Sequence, residues 1–222
     1  MKLTIFAATG GTGRILVDLA LAEGHDVTAV ARRPRDLPAG VRTVRADLLD
    51  DPDLRPALEG ADAVLSCLGA RNKAEARART CAKGTAAVIA GMRAAGTRRL
   101  VVISSEAMTV VPSPERPDPP RHDPGEGFLL RYVVGPPARG YFLREYYADL
   151  GVMEDAVRGS GLDWTIARPA LLVDRPARGR YRTAVDRKPK GGFRIGRADL
   201  AAFMLGCVAR DGTVGQAITL NY

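Results

Sequence analysis

Ala7-Ala8-Thr9-Gly10-Gly11-Thr12-Gly13-Arg14 is the stretch best supplied for chemistry. It follows an apolar run at residues 3–7 and opens a helical pattern at Thr12. A strand, a turn without bulky side chains and a helix N-terminus make a phosphate cradle. Backbone N–H groups point outward there, and the helix dipole favours an anion. Gly10 and Gly11 are expected to supply positive φ or close backbone approach, and Gly13 to let the helix pack tightly. Thr9 and Thr12 can donate hydroxyls to phosphate. The dinucleotide-binding pattern starts on a glycine, and Ala7 stands in that place. The turn is therefore expected to rest on Gly10, Gly11 and Gly13.

A second group follows the second strand-like run, residues 26–31, as Arg32-Arg33-Pro34-Arg35. An NAD site would carry a carboxylate here, bonded to the ribose 2′-hydroxyl. Two guanidinium forks instead suit a 2′-phosphate, being planar and permanently charged. The expected cofactor is NADP(H). Farther along, Ser104 and Ser105 end another apolar run, with Glu106 beside them. Hydroxyls in such places also serve merely to satisfy backbone groups.

The elements that must position these residues alternate along the chain. Strand patterns occupy residues 3–7, 26–31, 41–46, 63–67, 100–104, 163–167 and 216–220. Helical patterns occupy 12–23, 54–59, 75–95, 141–158 and 197–208. Alternation of this kind predicts an α/β fold: a single-domain, Rossmann-like, doubly wound parallel sheet spanning residues 1–222. Ligands of such sheets sit at the carboxyl ends of the strands, near the switch point. A Pro-rich insertion at 108–140 follows the fifth strand and carries eight of the fifteen prolines. It is either a lid over a substrate pocket or a surface insertion. Residues 175–194 hold eight Lys or Arg and are expected as a hairpin or loop, either solvated or attracting an anionic substrate.

Composition narrows the classes. The chain has 222 residues, 46% hydrophobic and 26% charged, which are ordinary globular values and large enough for a full core. No apolar run approaches the roughly 18 residues of a membrane-spanning helix, so a cytoplasmic protein without membrane contact is expected. Cys67, Cys81 and Cys207 lack metal-ligand spacing and fit reduced structural thiols. His25 and His122 are too few for a histidine-based metal site or a Ser-His-Asp triad. The net charge of +8 comes without a zinc-finger, RNA-binding or basic-helix signature. An anionic cofactor with a small substrate, anionic or aromatic, accounts for it better than nucleic acid.

Taken in order, A-A-T-G-G-T-G-R, A-R-R-P, A-D-L-L-D, C-L-G-A-R-N, I-S-S-E, S-G-L-D-W-T-I-A-R-P-A and R-A-D-L-A-A-F-M-L-G-C-V resemble an atypical short-chain dehydrogenase/reductase of the NAD(P)-binding, NmrA-like group. Within it, the chain resembles the biliverdin-IXβ reductase/flavin reductase branch. The resemblance spans nearly the whole chain and is weak between about Ala107 and Asp149. It implies that Thr9, Gly10, Gly11, Thr12, Gly13 and Arg14 cradle the pyrophosphate, and that Arg32 and Arg33 take the 2′-phosphate. Asp47 and Leu48 would flank adenine. Leu68, Gly69 and Arg71 would line the cofactor. Ser104, Ser105 and Pro169 would lie near the nicotinamide, Ser105 matching the family's active-site serine.

The departures bear on mechanism. Short-chain dehydrogenases use Tyr-x-x-x-Lys, in which the lysine lowers the tyrosine pKa. Tyr146 falls at the tyrosine position and Leu150 at the lysine position, so the pair is broken. Tyr146 remains a candidate hydrogen-bond donor. Three functions stay open: an NADPH-dependent reductase of a flavin, quinone, enone or ketone; a non-catalytic NADP sensor; and a cofactor-retaining enzyme of non-redox chemistry. The aromatic run Tyr141, Phe142, Tyr146 and Tyr147 would line a pocket or a dimer contact, and the oligomeric state is open.

Overall fold

The computed structural model describes residues 1–127, 132 and 143–222. Strand β1, Lys2–Phe6, leads into helix α1, Gly11–Ala22. Then come β2 (Asp26–Ala31), β3 (Arg42–Arg45), the short α2 (Arg55–Leu58) and β4 (Ala63–Ser66). Helices α3 (Lys73–Arg77) and α4 (Thr80–Ala95) precede β5 (Arg99–Ile103). After the insertion follow α5 (Arg144–Arg158), β6 (Asp163–Pro169), β7 (Leu171–Val173), β8 (Arg182–Val185), β9 (Arg194–Gly196), α6 (Arg197–Val208) and β10 (Gln216–Asn221).

Among the described residues the main sheet runs β3-β2-β1-β4-β5-β6-β10-β8. Every pairing in it is parallel except β8 against β10. This is the mainly parallel, Rossmann-like sheet expected from the alternation of patterns. The order reverses between β1 and β4, which places the crevice at the carboxyl end of β1.

Side chains alternate across the sheet and feed two cores. Leu3, Ile5, Val27, Ala29, Leu65 and Val101 pack against Leu16, Val17 and Ala20 of α1 and Leu200 and Met204 of α6. Phe6, Val30, Val64, Leu100, Val102 and Ile166 face Val88, Ile89 and Met92 of α4 and Met153 and Val157 of α5. Each fully buried Leu, Ile or Phe contributes roughly 1.5–3 kcal/mol. The strand ends are therefore held rigidly where the cofactor motifs emerge.

Two sequence expectations are corrected. The helical pattern at 75–95 is broken, because Arg79 adopts φ 59 and separates α3 from α4. No side chain from its own cap closes α4; Asp149, from α5, accepts from the N–H groups of Cys81 and Ala82 at 3.0 and 2.9 Å. That carboxylate meets the positive end of the helix dipole, a contact made across the fold and invisible to local pattern. The basic stretch 175–194 is neither one hairpin nor one loop. It places β8 at the edge of the main sheet and leads into β9, which pairs with β7 in a second, two-stranded sheet.

The insertion is described as far as residue 127. Ser113 Oγ and the Glu115 N–H donate to Asp155 of α5 at 2.8 and 3.1 Å. The Lys188 ammonium lies 3.3 Å from both Glu106 and Glu126, and the Lys188 N–H donates to Asp123 at 2.9 Å. The first part of the segment is thus pinned to α5 and to the strap after β8. Its remainder, residues 128–140 apart from Tyr132, and the expected helix start at Tyr141 and Phe142 lie outside the described residues.

Candidate functional site

The carboxyl ends of β1, β2 and β4 open onto a cleft of about 560 Å³. Of the residues singled out in the sequence, Thr9, Gly10, Arg32, Arg33, Asp47, Leu48, Leu68, Gly69 and Arg71 line it. Ala7, Arg45, Cys67, Glu75 and Thr80 line it as well.

The glycine turn works through close backbone approach rather than positive φ: a Cβ on Gly10 would stand 3.2 Å from the Ala7 carbonyl oxygen. Gly10 has φ −74°, and Gly11 is also outside the left-handed region. The left-handed residue is Ala7, at φ 54°. Ala7 therefore adopts the backbone normally given to the missing first glycine, at some steric cost. Its carbonyl accepts from the Gly10 N–H at 2.9 Å and closes the turn. A Cβ on Gly13 would stand 2.3 Å from that same carbonyl oxygen, so only glycine lets α1 approach β1 this closely. On Gly11 it would stand 3.0 Å from Nε of Arg197, the first residue of α6.

No side chain caps α1 at Gly10. Its first-turn N–H groups are thus available to an anion, and the uncapped glycine cradle fits a pyrophosphate. Thr12 and Gly13 are buried in the turn's packing. Arg14 reaches back, donating from Nε to the Thr9 carbonyl at 3.2 Å and lying 3.6 Å from Asp36.

The far end of the cleft is electrostatically richer than the sequence suggested. Arg32 lies 3.2 Å from the Glu75 carboxylate, and Arg71 lies 2.5 Å from it. The two arginines hold the Glu75 carboxyl down at about 2 from its usual 4.5, Arg71 contributing most. Arg33 is exposed beside them. Asp47 accepts from the Leu49 N–H at 3.2 Å. Gly84 of α4 brings that helix against Leu48 and Leu68, since a Cβ there would sit 3.5 and 3.1 Å from their side chains. Glu75 and Gly84 were not recognised in the sequence. The spacing Asn72-x-x-Glu75 was the available signal, and Asn72 does accept from the Glu75 N–H at the start of α3.

The candidates at the end of β5 occupy different surroundings and do not line this cleft. Ser104 is buried and donates to Glu154 at 2.6 Å. Glu154 in turn pairs at 2.5 Å with Arg168, whose side chain is wholly buried. Ser105 Oγ accepts from the Ala107 N–H at 3.3 Å, capping a turn of 3₁₀ helix at Glu106–Thr109. Burial pushes the Glu106 carboxyl up, and Lys188 opposes the shift. Pro169 is buried as the last residue of β6. Tyr146 is half-buried on α5, one turn before Leu150, which packs among the apolar residues of the core.

A second hollow, of about 210 Å³, lies beside the β7–β9 sheet, lined by Arg175, Arg178, Phe193, Arg194 and Tyr222 among others. Arg178 stacks 4.3 Å over the Tyr222 ring. Its backbone N–H and that of Gly179 donate to the buried Asp199. Among the described residues no His, Cys, Asp and Glu side chains gather as a metal site, and no helix is long and apolar enough to cross a membrane.

This geometry agrees with the comparison to known families. Residues 7–211 match the model of an NAD(P)H-binding family. The chain belongs to that family. A 3-diazoavenalumate denitrifying reductase from a Streptomyces species is 32% identical over 153 residues, 60% of this chain and 49% of that protein. An uncharacterized protein of Mycobacterium tuberculosis is 34% identical over 106 residues, 47% of this chain. The chain spans only 12% of that protein's length. Among solved structures, a wide-type short-chain dehydrogenase/reductase from Veillonella parvula in complex with NADP aligns with TM-score 0.76 and 15% identity, covering 100% of this chain and 94% of that one. A Streptococcus pneumoniae protein proposed to be an NADH-flavin reductase aligns with TM-score 0.73 and 21% identity, covering 99% and 98%. At these identities the structural likeness shows the fold.

Proposed function

We propose that the chain is an NADPH-dependent oxidoreductase acting on a conjugated acceptor such as a flavin, quinone, enone or ketone. One observation carries the reading. A single cleft joins an uncapped glycine cradle at β1 to an arginine pair at the end of β2, where an NAD site would place a carboxylate. The first-turn N–H groups of α1 would hold the pyrophosphate. Asp47, Leu48 and Leu68 would hold the adenine, and Arg32 with Arg33 the 2′-phosphate. When bound, the nicotinamide supplies the hydride. The chain's own part is to orient it and exclude water.

Proton handling separates the acceptor classes. Leu150, packed against the apolar core, stands where the short-chain dehydrogenase pattern has its lysine, so the Tyr–Lys pair is absent. The Ser104 hydroxyl is committed to Glu154. Ser105 and Tyr146 remain as hydrogen-bond donors to an acceptor that needs little acid–base help. That suits a flavin-type acceptor over ketone reduction by a phenolate. The Streptomyces relative's name adds an aromatic diazo compound to the acceptors worth trying. The whole chain, 1–222, would act as one cofactor domain in the cytoplasm on a small substrate, with no nucleic-acid or membrane partner.

The same cleft, with the Tyr–Lys pair absent, also fits a second reading, a cofactor-binding sensor without turnover. Absorbance at the NADPH band, followed with flavins, quinones, enones, aromatic ketones and a diazo-arene, decides between them. Turnover with any acceptor supports the reductase. Tight NADPH binding with no oxidation across the panel would favour the sensor.

A further inference from the structure

Glu75 occupies an unusual place for a carboxylate. It stands in the cleft lining at the end reserved for the ribose, yet it comes from α3 rather than from β2. Oε1 accepts from Arg32 at 3.2 Å and from Arg71 Nη2 at 2.5 Å. Oε2 accepts from the Arg71 backbone N–H at 2.8 Å. Its backbone is fixed on both sides: the N–H donates to Asn72 at 2.9 Å, and the carbonyl accepts from Thr80 Oγ1 at 2.8 Å. The side chain is 16% exposed and Arg32 is 45% exposed, so an incoming group can reach the guanidinium while the carboxylate stays put.

We propose that Glu75 is the specificity-determining residue of this cleft, a carboxylate that occupies Arg32 and Arg71 in place of the 2′-phosphate and so limits how strongly NADP(H) is preferred over NAD(H). The proposal rests on the cofactor reading above. A planar carboxylate between two guanidinium groups presents negative charge and acceptor oxygens as a ribose phosphate would, with one charge and two oxygens against the phosphate's roughly two charges and three oxygens. A 2′-phosphate must therefore win Arg32 from Glu75 and settle near a second negative charge. A 2′-hydroxyl can instead donate to the Glu75 carboxylate. Glu75 thus weakens the phosphorylated cofactor and helps the unphosphorylated one. It is fully charged at working pH, since Arg71 and Arg32 keep its carboxyl at about 2.

The test is a fluorescence titration of NADPH and NADH into the wild type, Glu75→Gln and Glu75→Asp. Adenosine 2′-phosphate and adenosine 5′-phosphate serve as probes of this end of the cleft alone. Removing the charge should raise the NADPH-over-NADH affinity ratio about tenfold, close to one charge-assisted contact. The 2′-phosphate probe should tighten in parallel. Glu75→Asp, one methylene shorter, should move the ratio in the same direction by less, and serves if Glu75→Gln does not fold. An unchanged or reduced ratio, with both cofactors still bound, overturns the role of Glu75 alone. Failure of the wild type to bind either cofactor overturns the cofactor reading and this inference together.

Discussion

The carbonyl oxygen of Ala7 lies 2.3 Å from the point where a Cβ on Gly13 would stand. One backbone atom of the strand end thus dictates the residue that opens α1. Ala7 meets this geometry from φ 54°, a conformation that suits glycine better. Gly13→Ala should cost about 3 kcal/mol, because backbone cannot move aside as a side chain can. Ala7→Gly should leave stability equal or raise it by up to about 1 kcal/mol, the relief of the left-handed alanine offsetting its added chain entropy. Urea denaturation of both variants measures these directions. A Gly13→Ala protein as stable as the wild type would refute the close packing.

The Ser104–Glu154–Arg168 group is buried, with Arg168 wholly so. Glu154→Ala would leave the buried guanidinium only Asp186, at 3.4 Å, and should cost about 3 kcal/mol. Replacing both charges, as Glu154→Leu with Arg168→Met, should cost less than the single change, because no orphaned charge is left. Denaturant midpoints of the single and double variants decide. A double variant worse than the single would mean that the pair itself, and not its desolvation balance, dominates.

Glu106 gives a pH signature. Burial raises its carboxyl above the usual glutamate value, so the folded state holds the proton more tightly than the unfolded chain does. Stability from this group is present below 4.5, the unfolded value, and is lost as pH rises through the folded one. Glu106→Gln should remove that loss, so the variant gains on the wild type as pH rises through this window. Thermal melts across the range check the sign. A difference that shrinks with rising pH would show that Lys188, 3.3 Å away, outweighs burial.

Glu75 has the opposite sign. Its carboxyl sits at about 2 in the folded state against 4.5 ordinarily, so its stabilisation is present above 4.5 and lost as pH falls towards 2. The stability difference between wild type and Glu75→Gln should shrink on acidification through that window. It should also shrink with salt, because Arg71 is largely exposed. Melts at several pH values and two ionic strengths would show both trends, and a difference independent of pH would count against the charged contact.

The sheet was legible because its signals are local. Apolar strand runs, helix patterns and turn residues lie within a few positions of each other, and the observed strand ends differ from the expected ones by at most two residues. The nine expected residues that line the cleft follow from that order, since each sits just past a strand end or in the turn behind it. What stayed hidden depends on contacts between distant segments. The Arg79 break is bound up with the cap that Asp149 places on α4 from 67 residues away. The tie between Ser104 and Glu154 spans 50 residues. Glu75 merely opens the expected helix at 75–95, and only the fold carries it to Arg32, 43 positions earlier. The turn showed the converse: the absence of the first glycine was visible, but not that Ala7 would take the glycine conformation itself.

The central claim is that the cleft holds NADP(H) through Arg32 and Arg33, and the most direct measurement is the pair of dissociation constants for NADPH and NADH in the wild type and in Arg33→Ala. Arg33 is exposed beside the Arg32–Glu75 pair, so its removal should leave the fold intact. The expected result is NADPH bound about tenfold or more tightly than NADH, with most of that preference lost in Arg33→Ala and NADH affinity unchanged. Equal affinities in the wild type, or a preference for NADH, would contradict it.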